Sequence, residues 1–432
     1  MPKKKTRVIS FLQEFSIPLI AGVACALFAA NLAPDWYEYW FGSTHGEGHH
    51  PWMVPGGVKI FGHDVTLNFL INDIFMVFFF GIATKEITEA CLPGGSLNPP
   101  RKAVNPLIAT LGGVVGPVAV FFGALYVASL MGVEGYEQGT PAWAAVQKGW
   151  GIPTATDIAL AWLVARAVFG KGHNAINFLL LLAVADDAIG LGIIAIFYPD
   201  PAFPAAPVWL LLIVLGMAVA FGMRRAGVKS WMPYILVAGP ISWCGLMLAH
   251  LHPALALVPI VPFLPGPHRD TGLFVEQDEI DIMGEETAHD LQFEHSPLHV
   301  YEHHTKAFVD FGLFFFAMGN AGVVFGGMGA MTWIILLSLV VGKTIGVTGA
   351  GLLAMRLGFP LPAGMTTRHL VMAAFVAALG LTVALFVAGA AFPTDAVLQG
   401  QAKMGALFSG FVGLVAIALS RWLGMKNPSD RT

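Results

Sequence analysis

The chain has 432 residues, of which 56% are hydrophobic and 12% charged, with a formal net charge of −4. Its mean hydropathy of +0.70 lies outside the range of soluble globular domains, so a polytopic helical membrane protein is expected, with no nucleic-acid partner. A spanning helix takes about 20 apolar residues, which leaves room for a dozen.

The basic stretch Lys3-Lys4-Lys5-Thr6-Arg7 precedes an apolar run from about Phe11 to Ala33. A signal peptide is one reading, and Ala24-Cys25-Ala26 resembles a cleavage site. The run holds Glu14 and continues past that site, which favours an uncleaved first span with a cytoplasmic N-terminus. Further spans are expected at about 67–90, 104–131, 147–168, 174–198, 207–223, 232–248, 251–264, 307–325, 329–354, 368–391 and 403–423, making twelve. Alternate loops carry the basic residues: Lys85 with Arg101 and Lys102, Arg166 with Lys171, Arg224 with Arg225 and Lys229, Arg356 with Arg368, and Arg421 with Lys426. The opposing loops hold Asp35, Glu38, Glu134, Glu137, Asp200 and Asp395. That asymmetry places both termini in the cytoplasm. Cys25, Cys91 and Cys244 form no CxxC pair and read as buried thiols.

One transporter domain is therefore expected over residues 1–432, with two notable loops. Residues 43–66, on the outer side, carry His45, His49, His50 and His63, and their 58–65 stretch alternates around a glycine turn as a short β-hairpin would. A solvated loop and a metal-binding one are both open readings of those histidines. The cytoplasmic loop 267–306 holds ten acidic residues and six of the fourteen histidines. It reads either as a solvated face or as a pH sensor.

Two spans contain breaks. In the fourth, Gly151-Ile152-Pro153 precedes Thr154-Ala155-Thr156-Asp157, and proline interrupts the helix by removing a donor and crowding the preceding turn. In the eleventh, Ala378-Leu379-Gly380-Leu381-Thr382 offers a weaker, glycine-based break. The odd offset of seven fits three-helix units 3–5 and 10–12 related by inversion. Crossed half-helices would present positive N-terminal and negative C-terminal ends, for which Asp157 and Lys343 are suited compensators; direct ion binding is the other reading.

Asp186 and Asp187 in the fifth span and Lys343 in the tenth intrude on otherwise apolar sequence. An ionisable group at mid-membrane costs roughly 2.5–3.5 kcal/mol on insertion scales, so its presence suggests an ion or proton path. Adjacent helical residues point about 100° apart, so one Asp faces the path while the other meets a neighbouring helix. Lys343 is the natural partner for one of them. A bared carboxylate with threonine hydroxyls and unwound carbonyls suits a small hard cation. Competition between cation and proton for that carboxylate, with alternating access, gives exchange.

These motifs carry a resemblance. Gly149-Trp150-Gly151-Ile152-Pro153-Thr154-Ala155-Thr156-Asp157-Ile158-Ala159, Ala183-Val184-Ala185-Asp186-Asp187-Ala188-Ile189-Gly190, Val341-Gly342-Lys343-Thr344-Ile345-Gly346 and Gly319-Asn320-Ala321-Gly322-Val323 closely resemble the NhaA-type sodium–proton antiporters. The family is itself an example of inverted repeats with broken helices. The resemblance implies twelve spans in a bacterial inner membrane, a homodimer helped by an outer β-hairpin, and electrogenic, pH-activated exchange of Na+ or Li+ for protons without a cofactor. By motif, Asp187 would be the main cation ligand and Asp186 its neighbour, paired to Lys343. Asp157, Thr156 and Thr154 would belong to the fourth-span break and Thr382 to the eleventh. His252 matches a histidine linked in the family to pH response, and Glu302 an acidic position of its cytoplasmic sensor, with His303 and Glu86 nearby. The chain departs from the family at Ala83, where a glutamate is common, although Glu86 and Glu89 follow nearby, and at Lys306-Ala307-Phe308, where His-Pro-Trp is expected.

An intramembrane aspartyl protease also uses two mid-membrane carboxylates, but it would want Tyr-Asp and Gly-x-Gly-Asp motifs and no buried lysine. A sodium-coupled symporter of the same architecture would need a cavity for an organic substrate. The expectation is a transporter and not an enzyme.

Overall fold

The computed structural model describes residues 16–41, 59–61, 63–92, 95, 97, 100–170, 172–199, 206–266 and 296–424. His45, His49, His50, Asp200 and most of the acidic loop, through residue 295, lie outside the described residues.

Six described helices are long and apolar enough to cross a membrane: α3 (Leu67–Cys91), α4 (Ala103–Leu130), α7 (Asn174–Phe197), α8 (Pro207–Arg225), α11 (Ala330–Arg356) and α14 (Ala396–Trp422). Two bent pairs bring the number to eight. These are α5 (Pro141–Thr154) with α6 (Ile158–Phe169), bent by 49°, and α12 (Thr367–Val376) with α13 (Leu381–Ala391), bent by 48°. Shorter apolar helices are α1 (Ile17–Leu32) and α9 (Tyr234–Ala249). A brief α2 (Pro34–Phe41) follows α1, and α10 (Pro297–Asn320) carries Glu302, Lys306 and Asp310.

Two segments differ from the sequence reading. Residues 251–264 form short 3-10 turns, Pro253–Leu255 and Val261–Phe263, instead of a continuous helix. Pro253, Pro259 and Pro262 deny the segment the regular donors an α-helix needs. The helix expected at 307–325 instead begins at Pro297, where Ser296 caps it by accepting from the His299 amide at 3.3 Å. Similar caps start α5 (Thr140), α12 (Thr366) and α14 (Asp395), which explains why these helices begin where they do. Lys59–Ile60 and His63–Asp64 pair antiparallel over two residues each. The cysteines are not the buried thiols expected: Cys25 and Cys91 lie exposed on the outside of the bundle and Cys244 is half-buried. In a bundle whose outer face is itself apolar, a thiol is as well placed outside as inside.

The packing that matters most for the site joins α4 to α11. Gly112 and Gly116 of α4 lie against Gly342 and Gly346 of α11, and a Cβ added at Gly342 would fall 2.6 Å from Pro117 Cα. Small residues at such crossings let two backbones approach closely where lipid supplies no hydrophobic force between helices. A π-helical turn, Ser338–Gly342, leads directly into Lys343, the kind of local insertion that often marks functional sites. Both features deliver the lysine side chain, fully buried, to the middle of the bundle.

Candidate functional site

The site forms where the two bends meet. Asp157 is the N-cap of α6, its Oδ1 accepting from the Leu160 amide at 3.1 Å. Its Oδ2 accepts from the Thr382 amide at 3.2 Å, in the first turn of α13. One carboxylate thus sits at two helix N-termini, where aligned peptide dipoles favour negative charge. The Asp157 amide in turn donates to the Leu379 carbonyl at 2.7 Å. The Thr156 hydroxyl lies 3.0 Å from the Ala377 carbonyl at the end of α12 and 2.9 Å from Asp186 Oδ2, donating to one at a time. Gly380, between α12 and α13, donates its amide to Ser409 of α14 at 3.2 Å. The Asp157, Gly380 and Thr382 amides and the Ala377 and Leu379 carbonyls at the breaks thus find partners within the protein, as irregular chain at membrane depth requires.

Lys343 closes the arrangement from the other side. Its Nζ donates to the Thr154 carbonyl at 2.7 Å, at the C-terminal and hence partially negative end of α5, and lies 3.0 Å from Asp186 Oδ2. Asp186, Lys343 and Thr156 are fully buried, and Thr154, Asp157 and Thr382 nearly so. A charge pair removed from water in this way persists only with close geometry and further hydrogen bonds. The Thr154 carbonyl and Thr156 hydroxyl supply them.

Asp187 is different. It is 7% exposed, and its Oδ1, like Asp186 Oδ1, is buried without a hydrogen-bond partner among the described residues. On α7 it points away from the Lys343 side by one helical step. A buried carboxylate oxygen without a donor is an unfilled acceptor, and a small cation or a proton are the two species that fill it most simply. Gly113 of α4 borders the pair: a Cβ there would lie 3.0 Å from Val347 Cγ2, a tight contact, and at ordinary contact distance from Asp186 Oδ1, 3.5 Å, and Lys343 Cε, 3.8 Å.

A second polar cluster lies at the far end of α3. Lys85 is 97% buried; its ammonium pairs with Glu302 and with Glu89 at 2.6 Å, and lies 3.6 Å from Glu86. Lys306 reaches the other Glu302 oxygen at 3.6 Å. The sequence reading took Lys85 for a loop cation and noted Glu89 only as following the Ala83 departure, with Glu86 alone of the two as a candidate. Glu302 and Glu86, both candidates from sequence, meet at this lysine, while His303 is exposed beside Glu302. The i, i+4 spacing of Lys85 and Glu89 and the departure at Lys306 were the available signals. His252 lies apart from both clusters: its Nδ1 is 3.7 Å from Asp73 Oδ1 and its ring centroid 4.5 Å from that of Phe386 in α13.

Bent helices meeting at buried carboxylates and a lysine, inside a bundle of membrane-length helices, define an integral membrane transporter of ions. A family model described as Na+/H+ antiporter 1 matches residues 8–420. The chain is 54% identical over 429 residues to the Na(+)/H(+) antiporter NhaA of Desulfitobacterium hafniense (strain DSM 10664 / DCB-2), covering 99% of this chain and 98% of that one. It is 54% identical over 418 residues to the protein of the same name from Geobacter metallireducens, covering 97% and 98%. It is 42% identical over 451 aligned positions to that of Jannaschia sp. (strain CCS1), covering 96% and 97%. The chain belongs to the Na+/H+ antiporter 1 family, as its motifs indicated, and that is a family of transporters and not of enzymes.

Proposed function

We propose that this protein exchanges Na+ or Li+ for protons across a bacterial inner membrane by alternating access, with cation and protons competing for the carboxylates of α7. The observation that carries this reading is the Asp187 carboxylate, buried beside the Asp186–Lys343 pair, with Oδ1 of both aspartates lacking a hydrogen-bond donor among the described residues. Asp187 is the principal cation ligand, and Asp186 exchanges its lysine for a proton or joins the ligand set. Asp157 and Lys343 hold the opposed ends of the half-helices, and Thr156, Thr154 and Thr382 line the break. Asp157 and Thr156 were also candidate ion ligands; with Asp157 Oδ1 and Oδ2 both accepting helix amides, its compensating role is favoured, while the Thr156 hydroxyl, beside Asp186 Oδ2, stays within reach of the ligand set.

In the same reading exchange is electrogenic, more protons moving than cations, and rises with pH as the site loses protons. The cluster of Lys85, Glu86, Glu89 and Glu302 tunes that response, with His303 and His252 as further titrating groups. The twelve-span count with cytoplasmic termini, the inverted units of spans 3–5 and 10–12, and a homodimer aided by the residue 59–64 pairing complete the proposal. The basic residues of alternate loops and the matching 49° and 48° bends favour it.

Purified protein in liposomes with an acidic lumen tests it. External sodium should alkalinise the lumen with no organic solute present, and a potassium–valinomycin clamp should alter the rate. Absence of sodium-driven proton movement at every pH between 6 and 9 would refute the proposal; a requirement for an organic solute would favour a symporter.

A further inference from the structure

Tyr198 takes no part in the site as described, yet it touches the same half-helix from the other end. It is the C-cap of α7, the helix that carries Asp186 and Asp187. Its side chain is buried at 6% exposure. Its hydroxyl accepts from the Gly151 amide at 2.9 Å and donates to the Lys148 carbonyl at 2.7 Å. Those two groups lie three residues apart in the 3-10 turn Lys148–Thr154 that ends α5. One hydroxyl thus bridges the donor and the acceptor of a single tight turn. Gly151 is what admits it: a Cβ there would lie 2.6 Å from Tyr198 Oη, 2.9 Å from its Cε2 and 3.1 Å from Ile193 Cγ2. The neighbouring Trp150 and Phe197 rings pack edge-on at 5.1 Å and keep the two elements in register.

Hydrogen bonds continue from this point to the ion pair. The Thr154 hydroxyl donates to the Gly151 carbonyl at 2.7 Å. The Thr154 carbonyl accepts from Lys343 Nζ at 2.7 Å, and that ammonium lies 3.0 Å from Asp186. The sequence Tyr198, Gly151, Thr154, Lys343, Asp186 is therefore a closed ring that leaves α7 at its end and returns to it at its middle. Pro153 lies within the ring. Without a proline N–H the last turn of α5, a 3-10 turn over Lys148–Thr154, lacks one backbone donor, and the Tyr198 hydroxyl and the Thr154 hydroxyl add bonds that hold it in place.

Resting on the exchange reading above, we propose that Tyr198 is a positioning residue for the cation site, setting the Thr154 carbonyl, and through it Lys343, against Asp186. A chain of contacts by itself does not demonstrate coupling; a double-mutant cycle does. The cycle comprises wild type, Tyr198→Phe, Lys343→Ala and the double variant, each purified and titrated with sodium while thermal unfolding is followed. The sodium midpoint of stabilisation reads binding even in variants that no longer transport. Tyr198→Phe should raise that midpoint about fivefold, within the couplings seen for residues of one hydrogen-bond network. It should add nothing in the Lys343→Ala background. Should Tyr198→Phe fail to fold, Thr154→Val cuts the same path one step nearer the lysine and is expected to give the same pattern.

An equal shift in both backgrounds would overturn the proposal. So would a lowered unfolding temperature with an unchanged sodium midpoint, which is the signature of a structural role alone. If wild type itself shows neither sodium stabilisation nor exchange, the functional reading fails and this proposal with it. That result is distinct from a responsive wild type with an indifferent Tyr198→Phe.

Discussion

Lys343→Ala tests the heart of the site, and its size can be worked from the contacts. The side chain is fully buried, with one charged partner at 3.0 Å and one carbonyl at 2.7 Å. Removing it leaves the Asp186 carboxylate, also fully buried, with the Thr156 hydroxyl as its remaining polar contact. Breaking a buried pair from one side typically costs about 3–5 kcal/mol, most of it the penalty of the stranded charge. The lost Thr154 bond belongs to the same change, since hydrogen bonds to charged groups are worth about 1.5–3 kcal/mol and are not added on top. The unfolding temperature of the purified protein should therefore fall by several degrees. Lys343→Ala/Asp186→Ala should recover most of that loss although it removes more atoms, because no charge is then left unpaired. Lys343→Ala unfolding at the wild-type temperature, or a double variant less stable than the single one, would refute the reasoning.

Three further outcomes follow from the geometry. Gly346→Ala should destabilise by about 1–3 kcal/mol or more through overpacking, since its Cβ would sit 2.9 Å from the Gly112 carbonyl carbon; thermal unfolding reads this, with Gly349→Ala, whose Cβ meets nothing within 4 Å, as the unaffected control. Asp157→Ala removes the acceptor for two helix N-termini, each cap worth about 0.5–2 kcal/mol, so the Leu160 and Thr382 amides should lose hydrogen-exchange protection, and Asp157→Asn should lose less. Equal protection in all three proteins would count against the double-cap role. Glu302→Gln should leave stability close to wild type, because Lys85 keeps Glu89 at 2.6 Å, but should move the pH dependence of exchange toward acid, as one fewer negative charge then opposes proton release from its neighbours; an identical pH–rate profile would remove Glu302 from pH sensing.

What the sequence revealed depended on contrast. Asp186, Asp187 and Lys343 stand out because charge is rare in apolar runs, and Pro153 marks the first break because its backbone chemistry is unambiguous. The second break was fainter, since glycine is common in membrane helices and Gly380 alone does not say which carbonyls it frees. The groups that tie the breaks together, the Ala377 and Leu379 carbonyls and the Thr382 amide, belong to the backbone and have no residue signature at all. Lys85 was misread for the opposite reason. Beside a loop, a lysine counts as a topogenic cation, and nothing in one dimension shows that Glu302, 217 positions away, will meet it. Residues 251–264 were apolar enough to pass for a span, and the spacing of three prolines, not the hydropathy, decided their structure.

The central claim is that sodium and protons compete for the Asp187 carboxylate. Adding sodium to the purified, weakly buffered protein at a pH where the site is partly protonated measures this directly, as protons released per protein. Wild type should release protons on sodium binding, and Asp187→Asn, which keeps the shape and loses the charge, should release none while unfolding at a similar temperature. Sodium binding to wild type without proton release, or undiminished release from Asp187→Asn, would contradict competition at this carboxylate.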